Sequence, residues 1–157
     1  MGVSFKLEGI GSVHAAFEEL ANEIGDKKAT SKILVPAVRE AMKPVLAKAR
    51  ANAPVDTGGL KRSLQVEARR PNRKDKRSKY IVSTDTVISL VTTAPGKKLA
   101  KMGIASDARA IAQEFGTARN PAQPYLRTAL ESQSTSVVND LAKILARRID
   151  QYNKVKT

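Results

Sequence analysis

The chain has 157 residues, enough for one domain, and its core must come mostly from Ala, Val, Leu and Ile, because it has three Phe, three Tyr and no Trp. With no cysteine and one histidine, His14, disulfides, thiolate-ligated zinc, a cysteine nucleophile and a histidine-based metal site are excluded, and a Ser-His-Asp triad would depend on that single imidazole. The net charge of +13 is uneven: residues 1–53 carry +2, residues 54–105 carry +8 and residues 106–157 carry +3. Such a block suggests nucleic acid or another polyanionic surface as a neighbour, the plainer reading being a solvated loop.

The N-terminus lacks the apolar stretch of a signal peptide, and no apolar run approaches the roughly 18 residues of a membrane span. The expectation is a protein of a reducing cytoplasm, or of a particle assembled there. Val3 to Glu8 alternates apolar and polar side chains, which predicts a half-buried strand broken at Gly9-Ile10-Gly11. Ser12 then fits a helix cap, and Val13, Phe17, Leu20 and Ile24 give one helical face ending near Gly25. His14 lies beside that stripe and reads as a surface or edge residue. A second helix is predicted from Thr30 or Ser31, with a stripe of Leu34, Val38, Ala41, Val45 and Ala49 widened by Met42 and Leu46. Pro36 suits its first turn, Pro44 predicts a kink, and Pro54 stops it.

Ser63 to Arg69 alternates again and reads as a strand. Seven of the eleven residues from Arg69 to Lys79 are basic, so this stretch is predicted to be an exposed loop. The β-branched segments Tyr80–Ser83 and Val87–Thr92 read as two further strands. A second flexible loop is expected from Ala94 to about Ser106. Ala108 to Phe115 is ambiguous between helix and strand, and Gly116 to Pro124 is irregular. Pro124 suits the first position of a long C-terminal helix with the stripe Leu126, Leu130, Val137, Leu141, Leu145, Ile149 and Tyr152. The predicted class is α+β: a small, mostly antiparallel sheet, two N-terminal helices, one long C-terminal helix, and a basic loop projecting from a strand connection.

Asp56-Thr57-Gly58 is the triplet that carries the catalytic carboxylate of aspartic proteases. That chemistry needs two carboxylates sharing a proton, so one motif per chain would require a dimer. Here the triplet follows a helix end at Ala51-Asn52-Ala53-Pro54 and lacks a later supporting apolar-Gly segment. A structural corner explains each residue: Pro54 ends the helix, Asp56 or Thr57 caps backbone donors, Gly58-Gly59 allows unusual backbone angles, and Leu60 and Leu64 return to the core. No dinucleotide fingerprint or P-loop is present. Asp107 and Glu114 are isolated carboxylates, and Glu114 is expected to pair with Arg119 or Arg127, or to cap backbone. No catalytic, cofactor or metal site is predicted. The basic loop contains no aromatic residue for base stacking, so any nucleic-acid contact there would be to phosphate.

Two segments together resemble a known family. They are A-K-A-R-A-N-A-P-V-D-T-G-G-L-K-R-S-L, Ala47 to Leu64, and A-R-A-I-A-Q-E-F-G-T-A-R-N-P-A-Q-P-Y-L-R-T-A-L, Ala108 to Leu130. The pairing is similar to the small head–tail joining, or tail-completion, proteins of long-tailed bacteriophages, in order and spacing along nearly the whole chain. The sequence departs from the pattern in its long basic insertion at 69–79, and in having Ala108-Arg109 where an aromatic residue is commoner.

The resemblance implies a single joining domain over 1–157 and a structural virion protein without catalysis, placed at the neck or tail top and assembled in the host cytoplasm. It implies a ring, with the tail's six-fold symmetry favoured over the portal's twelve-fold, next to portal, adaptor or tail-terminator proteins. Pro54, Asp56, Thr57, Gly58, Leu60, Glu114, Phe115, Gly116, Thr117, Pro124 and Tyr125 become the architectural or interface candidates. Phe115 and Tyr125 either anchor an interface or fill the protein's own core. The partner-contacting candidates are Arg69, Arg70, Arg73, Lys74, Lys76, Arg77 and Lys79, with Lys97, Lys98 and Lys101 in the second loop. Their partner is either the phosphate backbone of packaged DNA or an acidic rim on a neighbouring ring. The alternative to an assembly role is a sequence-independent nucleic-acid-binding protein using the 69–79 loop.

Overall fold

The computed structural model describes residues 10–55, 58–104 and 109–156. The strand expected at Val3–Glu8 and the caps expected of Asp56 and Thr57 lie outside them. The helices are α1 (Ile10–Ile24), α2 (Asp26–Ala29), α3 (Val35–Ala41), α4 (Lys43–Asn52), α5 (Gly59–Ser63), α6 (Gly96–Lys101), α7 (Arg109–Phe115) and α8 (Leu126–Lys156). The strands are β1 (Leu64–Arg69) and β2 (Ile88–Thr93). The predicted α+β class is borne out, with a sheet of two antiparallel strands among the described residues. The described residues fall into two compact units. The first draws on those among 1–41, 68–88 and 138–157, and the second on those among 42–67 and 89–137.

In the first unit α1 follows the predicted stripe, with Leu20 buried against Ile33 and Ile149 and with Phe17, Ile24, Leu145 and Tyr152 packed around them. Ser12 lies inside the helix rather than capping it. His14 is exposed, 3.7 Å from Glu18 one turn on, as expected of an edge histidine.

The predicted second helix is interrupted twice. A π-turn, Thr30–Leu34, precedes α3, and Val35 donates to Thr30 O five residues back. Pro36 thus sits directly behind a widened turn, as the second residue of α3. Having no N–H and crowding the carbonyl four residues back, Pro36 is better tolerated next to such a turn. The extra residue also shifts the buried face. Leu34 and Val38 are only partly buried, and the row that is buried reads Ala29, Ile33, Ala37, Ala41, Val45, Ala49 and Ala53. Burial at every fourth residue drifts by about 40° per step on an ideal α-helix, so a strictly α-helical stripe could not have followed it. The second break falls at Met42, and Pro44 opens α4 within its first two positions, where a missing N–H costs least. The expected kink is therefore a helix end followed by a new start.

In the second unit Met42, Val45, Ala49, Ala53, Leu64, Tyr125 and Ala129 form the core, with Leu46, Leu60, Val66, Val91, Leu126 and Val137 packed on it. Ala94 N–H donates to Ser63 O at 2.7 Å and Ser89 Oγ donates to Glu67 O at 3.2 Å, which fixes the opposed direction of β1 and β2 here. Arg50 Nη2 ties α4 to this sheet through Leu64 O at 2.7 Å.

Two loop-and-strand expectations fail for local reasons. Tyr80–Ser83 is not a strand. Its backbone bonds close nearby: Ile81 N–H to Ser78 O, Asp85 N–H to Val82 O, and Val82 N–H to the Asp85 carboxylate at 2.9 Å. Ser and Asp side chains that hydrogen-bond neighbouring backbone have overridden the β-branched preference. The stretch from Ala94, expected to be a loop, contains α6, because Leu99 is buried with Ala94 and Ile104 and gives the helix an apolar anchor.

Candidate functional site

The irregular segment before α8 is organised by one carboxylate. The side chain of Glu114, near the end of α7, leaves the residue 2% exposed. Its Oε2 accepts from Tyr125 N–H at 2.9 Å and Leu126 N–H at 2.8 Å, and its Oε1 accepts from Arg127 N–H at 3.1 Å and Arg127 Nε at 3.2 Å. Of the alternatives expected for Glu114, pairing with Arg119, pairing with Arg127 or capping backbone, the last two are present together. Three of the donors at the start of a long helix are thereby satisfied by a side chain from another helix, in the end of the macrodipole that favours negative charge. Burial alone would raise the carboxyl pKa, but the backbone donors and Arg127 outweigh it and hold Glu114 below the usual carboxylate value.

Gly116 makes the reversal possible. Its φ is +76°, and a Cβ there would stand 2.8 Å from Ala122 N. The turn closes through Thr117 N–H to Asn120 O at 2.8 Å, Asn120 N–H to Thr117 Oγ1 at 3.1 Å, and Gln123 N–H to Gln113 O at 2.7 Å. Pro124 lies two residues ahead of α8 instead of opening it, because Tyr125 takes the cap position and Glu114 supplies the cap.

The two aromatic candidates divide. Tyr125 is 1% exposed, and its hydroxyl donates to Ala110 O at 3.4 Å. Phe115 is 68% exposed with the Arg127 guanidinium 5.6 Å from its ring centre, and Ile111, one turn earlier on α7, is 69% exposed. The clamp therefore fixes one aromatic in the core and displays the other. At the Pro54 corner, Gly58 has φ +72° and open space around it, Leu60 packs on the core and Leu64 is buried within it.

The basic loop belongs to the first unit and is tied down at its base. Arg39 Nη2 donates to Ala68 O at 3.1 Å, and Arg70 Nη2 donates to Thr30 Oγ1 at 3.3 Å. Within the loop Asn72 Oδ1 accepts from Lys74 N–H and Asp75 N–H, and the Asp75 carboxylate accepts from Asn72 N–H at 2.7 Å and pairs with Arg69. The Arg69 hydrogen bond, then the Asn72 backbone donor, hold Asp75 below the ordinary carboxylate value. A single 3₁₀ turn, Asp75–Arg77, results. Arg73, Lys74, Lys76, Arg77 and Lys79 are exposed around it. Lys97, Lys98 and Lys101 belong to the second unit, on α6, where Lys98 Nζ donates to Gln65 Oε1 at 2.7 Å. Sequence reasoning missed this internal scaffold, although Asn72 three residues before Asp75 was the signal for it.

Among the described residues no cluster of His, Asp or Glu could hold a metal ion, and no helix is long and apolar enough to cross a membrane.

The sequence model of the family described as "Bacteriophage HK97-gp10, putative tail-component" matches residues 15–116. The match spans the Pro54 corner, both strands and α7 through Gly116. Comparison with curated proteins and with solved structures gives no match.

Proposed function

Because the chain belongs to the HK97 gp10-like family of structural phage tail components, we propose that it completes the tail top or neck and joins tail to head by assembling into a ring. The carrying observation is the display of Phe115 and Ile111 on one face of α7, held by a clamp that leaves the nearby Tyr125 in the core. Exposed aromatic and aliphatic residues on a rigid support are what an interface core requires. Arg127, stacked on Phe115, can serve the same contact, since Arg and Phe are both enriched at interfaces. A neighbouring copy in a closed heterologous ring is the partner that this reading assigns to the surface, with six-fold symmetry favoured. Portal, adaptor or tail-terminator proteins then lie above and below.

The test is electron microscopy of lysates from a phage with a stop codon in this gene, complemented by wild-type or Phe115→Ser protein. Filled heads lying apart from tails, rescued by wild type and not by a folded Phe115→Ser protein, is the expected result. Normal infectious particles without the protein would refute the joining role, and full rescue by Phe115→Ser would remove Phe115 from the interface.

A further inference from the structure

We propose that residues 69–79 form a pre-ordered, sequence-independent binding loop for the phosphate backbone of duplex DNA, with Arg73, Lys74, Lys76, Arg77 and Lys79 as the contacting groups. This goes beyond the joining role and does not rest on it.

The charges of the segment are sorted by the fold. Its one carboxylate is taken up within the loop, where Asp75 accepts from Asn72 N–H and pairs with Arg69; Asp85, beyond the segment, accepts from Val82 N–H. Arg69 is paired, and Arg70 is directed to Thr30. Five cations remain within seven residues, exposed and without a carboxylate partner among the described residues. A surface that carried charge merely for solubility would have no need of this separation.

The loop is also not a loose tail. The Asn72 side-chain turn, the 3₁₀ turn with Ser78 N–H on Asp75 O at 2.9 Å, and the anchors from Arg39 and Arg70 set its backbone. Ordering before contact lowers the entropy lost on binding.

Composition favours nucleic acid over an acidic protein. Three of the five groups are lysines, a residue depleted at the centre of protein interfaces, and residues 71–79 have no aromatic or aliphatic side chain except Pro71 to anchor one. Contact by point charges to phosphate needs no such anchor. Tyr80 is 81% exposed, but the Lys79 ammonium lies 5.0 Å from its ring centre, so one face of the ring is already covered.

The experiment uses the purified full chain and a labelled duplex of mixed sequence, read by fluorescence anisotropy. Five phosphate contacts give a slope of log affinity against log salt near −4.5, so binding should weaken about 500-fold between roughly 50 and 200 mM salt. One variant changes Arg73, Lys74, Lys76, Arg77 and Lys79 to Gln. A second changes Lys27, Lys28, Lys32, Lys43 and Lys48 to Gln and so removes the same charge from exposed positions elsewhere. The first should lose most of the affinity and flatten the slope; the second should keep most of both, with circular dichroism showing both folded. Equal loss in the two variants would mean bulk charge and overturn the proposal, as would unchanged binding by the first. Displacement of the duplex by a polyglutamate peptide at equal charge concentration would also overturn it, in favour of an acidic protein partner.

Discussion

Replacing Glu114 by Gln tests whether one buried carboxylate sets the start of α8. The wild-type side chain accepts three backbone donors, from Tyr125, Leu126 and Arg127. At about 1 kcal/mol net for each hydrogen bond, the full set contributes about 3 kcal/mol. The Arg127 side chain, 59% exposed, adds little because water screens it. Gln keeps one oxygen for Tyr125 and Leu126 but turns an NH2 toward the Arg127 donors, so the expected loss is about 2 kcal/mol, and about 3 kcal/mol for Glu114→Ala. In a chain of this size the Glu114→Gln loss lowers Tm by about 4 to 8 °C in a thermal melt at neutral pH. The pH dependence has a defined sign. The folded pKa is below the ordinary 4.5, so the stabilisation is complete above that value and is lost as pH falls through the folded pKa. Between about pH 5 and 3 the wild type should therefore lose part of its advantage over Glu114→Gln. Arg127→Ala should cost under about 1 kcal/mol. A Glu114→Gln protein melting within a degree of wild type, or a gap that does not narrow with acid, would refute the clamp.

Two other substitution pairs separate backbone and packing effects. Gly116→Ala meets both a left-handed backbone and the Ala122 amide, whereas Gly58→Ala meets the backbone cost alone. The expected losses are about 1 kcal/mol at Gly58 and clearly more at Gly116, measured by denaturant unfolding. Equal effects would show that the Gly116 turn has room to move. Tyr125→Ala should cost about 3 to 5 kcal/mol by emptying the core of the second unit, while Phe115→Ser should leave the melt within about 0.5 kcal/mol of wild type. The reverse order in the same melts would overturn the division between a core aromatic and a displayed one.

Much of this was legible from residue patterns. The α1 stripe, the two main strands and the long last helix follow from local rules of spacing and charge, which also narrowed the partners of Glu114 to Arg119, Arg127 or backbone donors. What was hidden depended on geometry that a stripe does not encode. The π-turn moved burial from Leu34 and Val38 to Ile33 and Ala37, because one extra residue in a turn rotates everything after it. Tyr80–Ser83 has strand composition, yet side-chain bonds from Ser78 and Asp85 close its backbone locally. For Phe115 and Tyr125 composition gave two equal candidates, and only the direction imposed by Gly116 and Glu114 separates them.

The buried row from Ala29 to Ala53 has a consequence for how the chain can vary. Five of its seven members are alanines. Trimming one to glycine removes a single methyl group, but any larger side chain must displace backbone or its packed neighbours, typically costing 1–3 kcal/mol. Most buried positions fail by cavities; these alanine positions are set to fail by crowding. Variants of this protein that still fold should therefore keep these positions small, while the apolar residues around them change more freely.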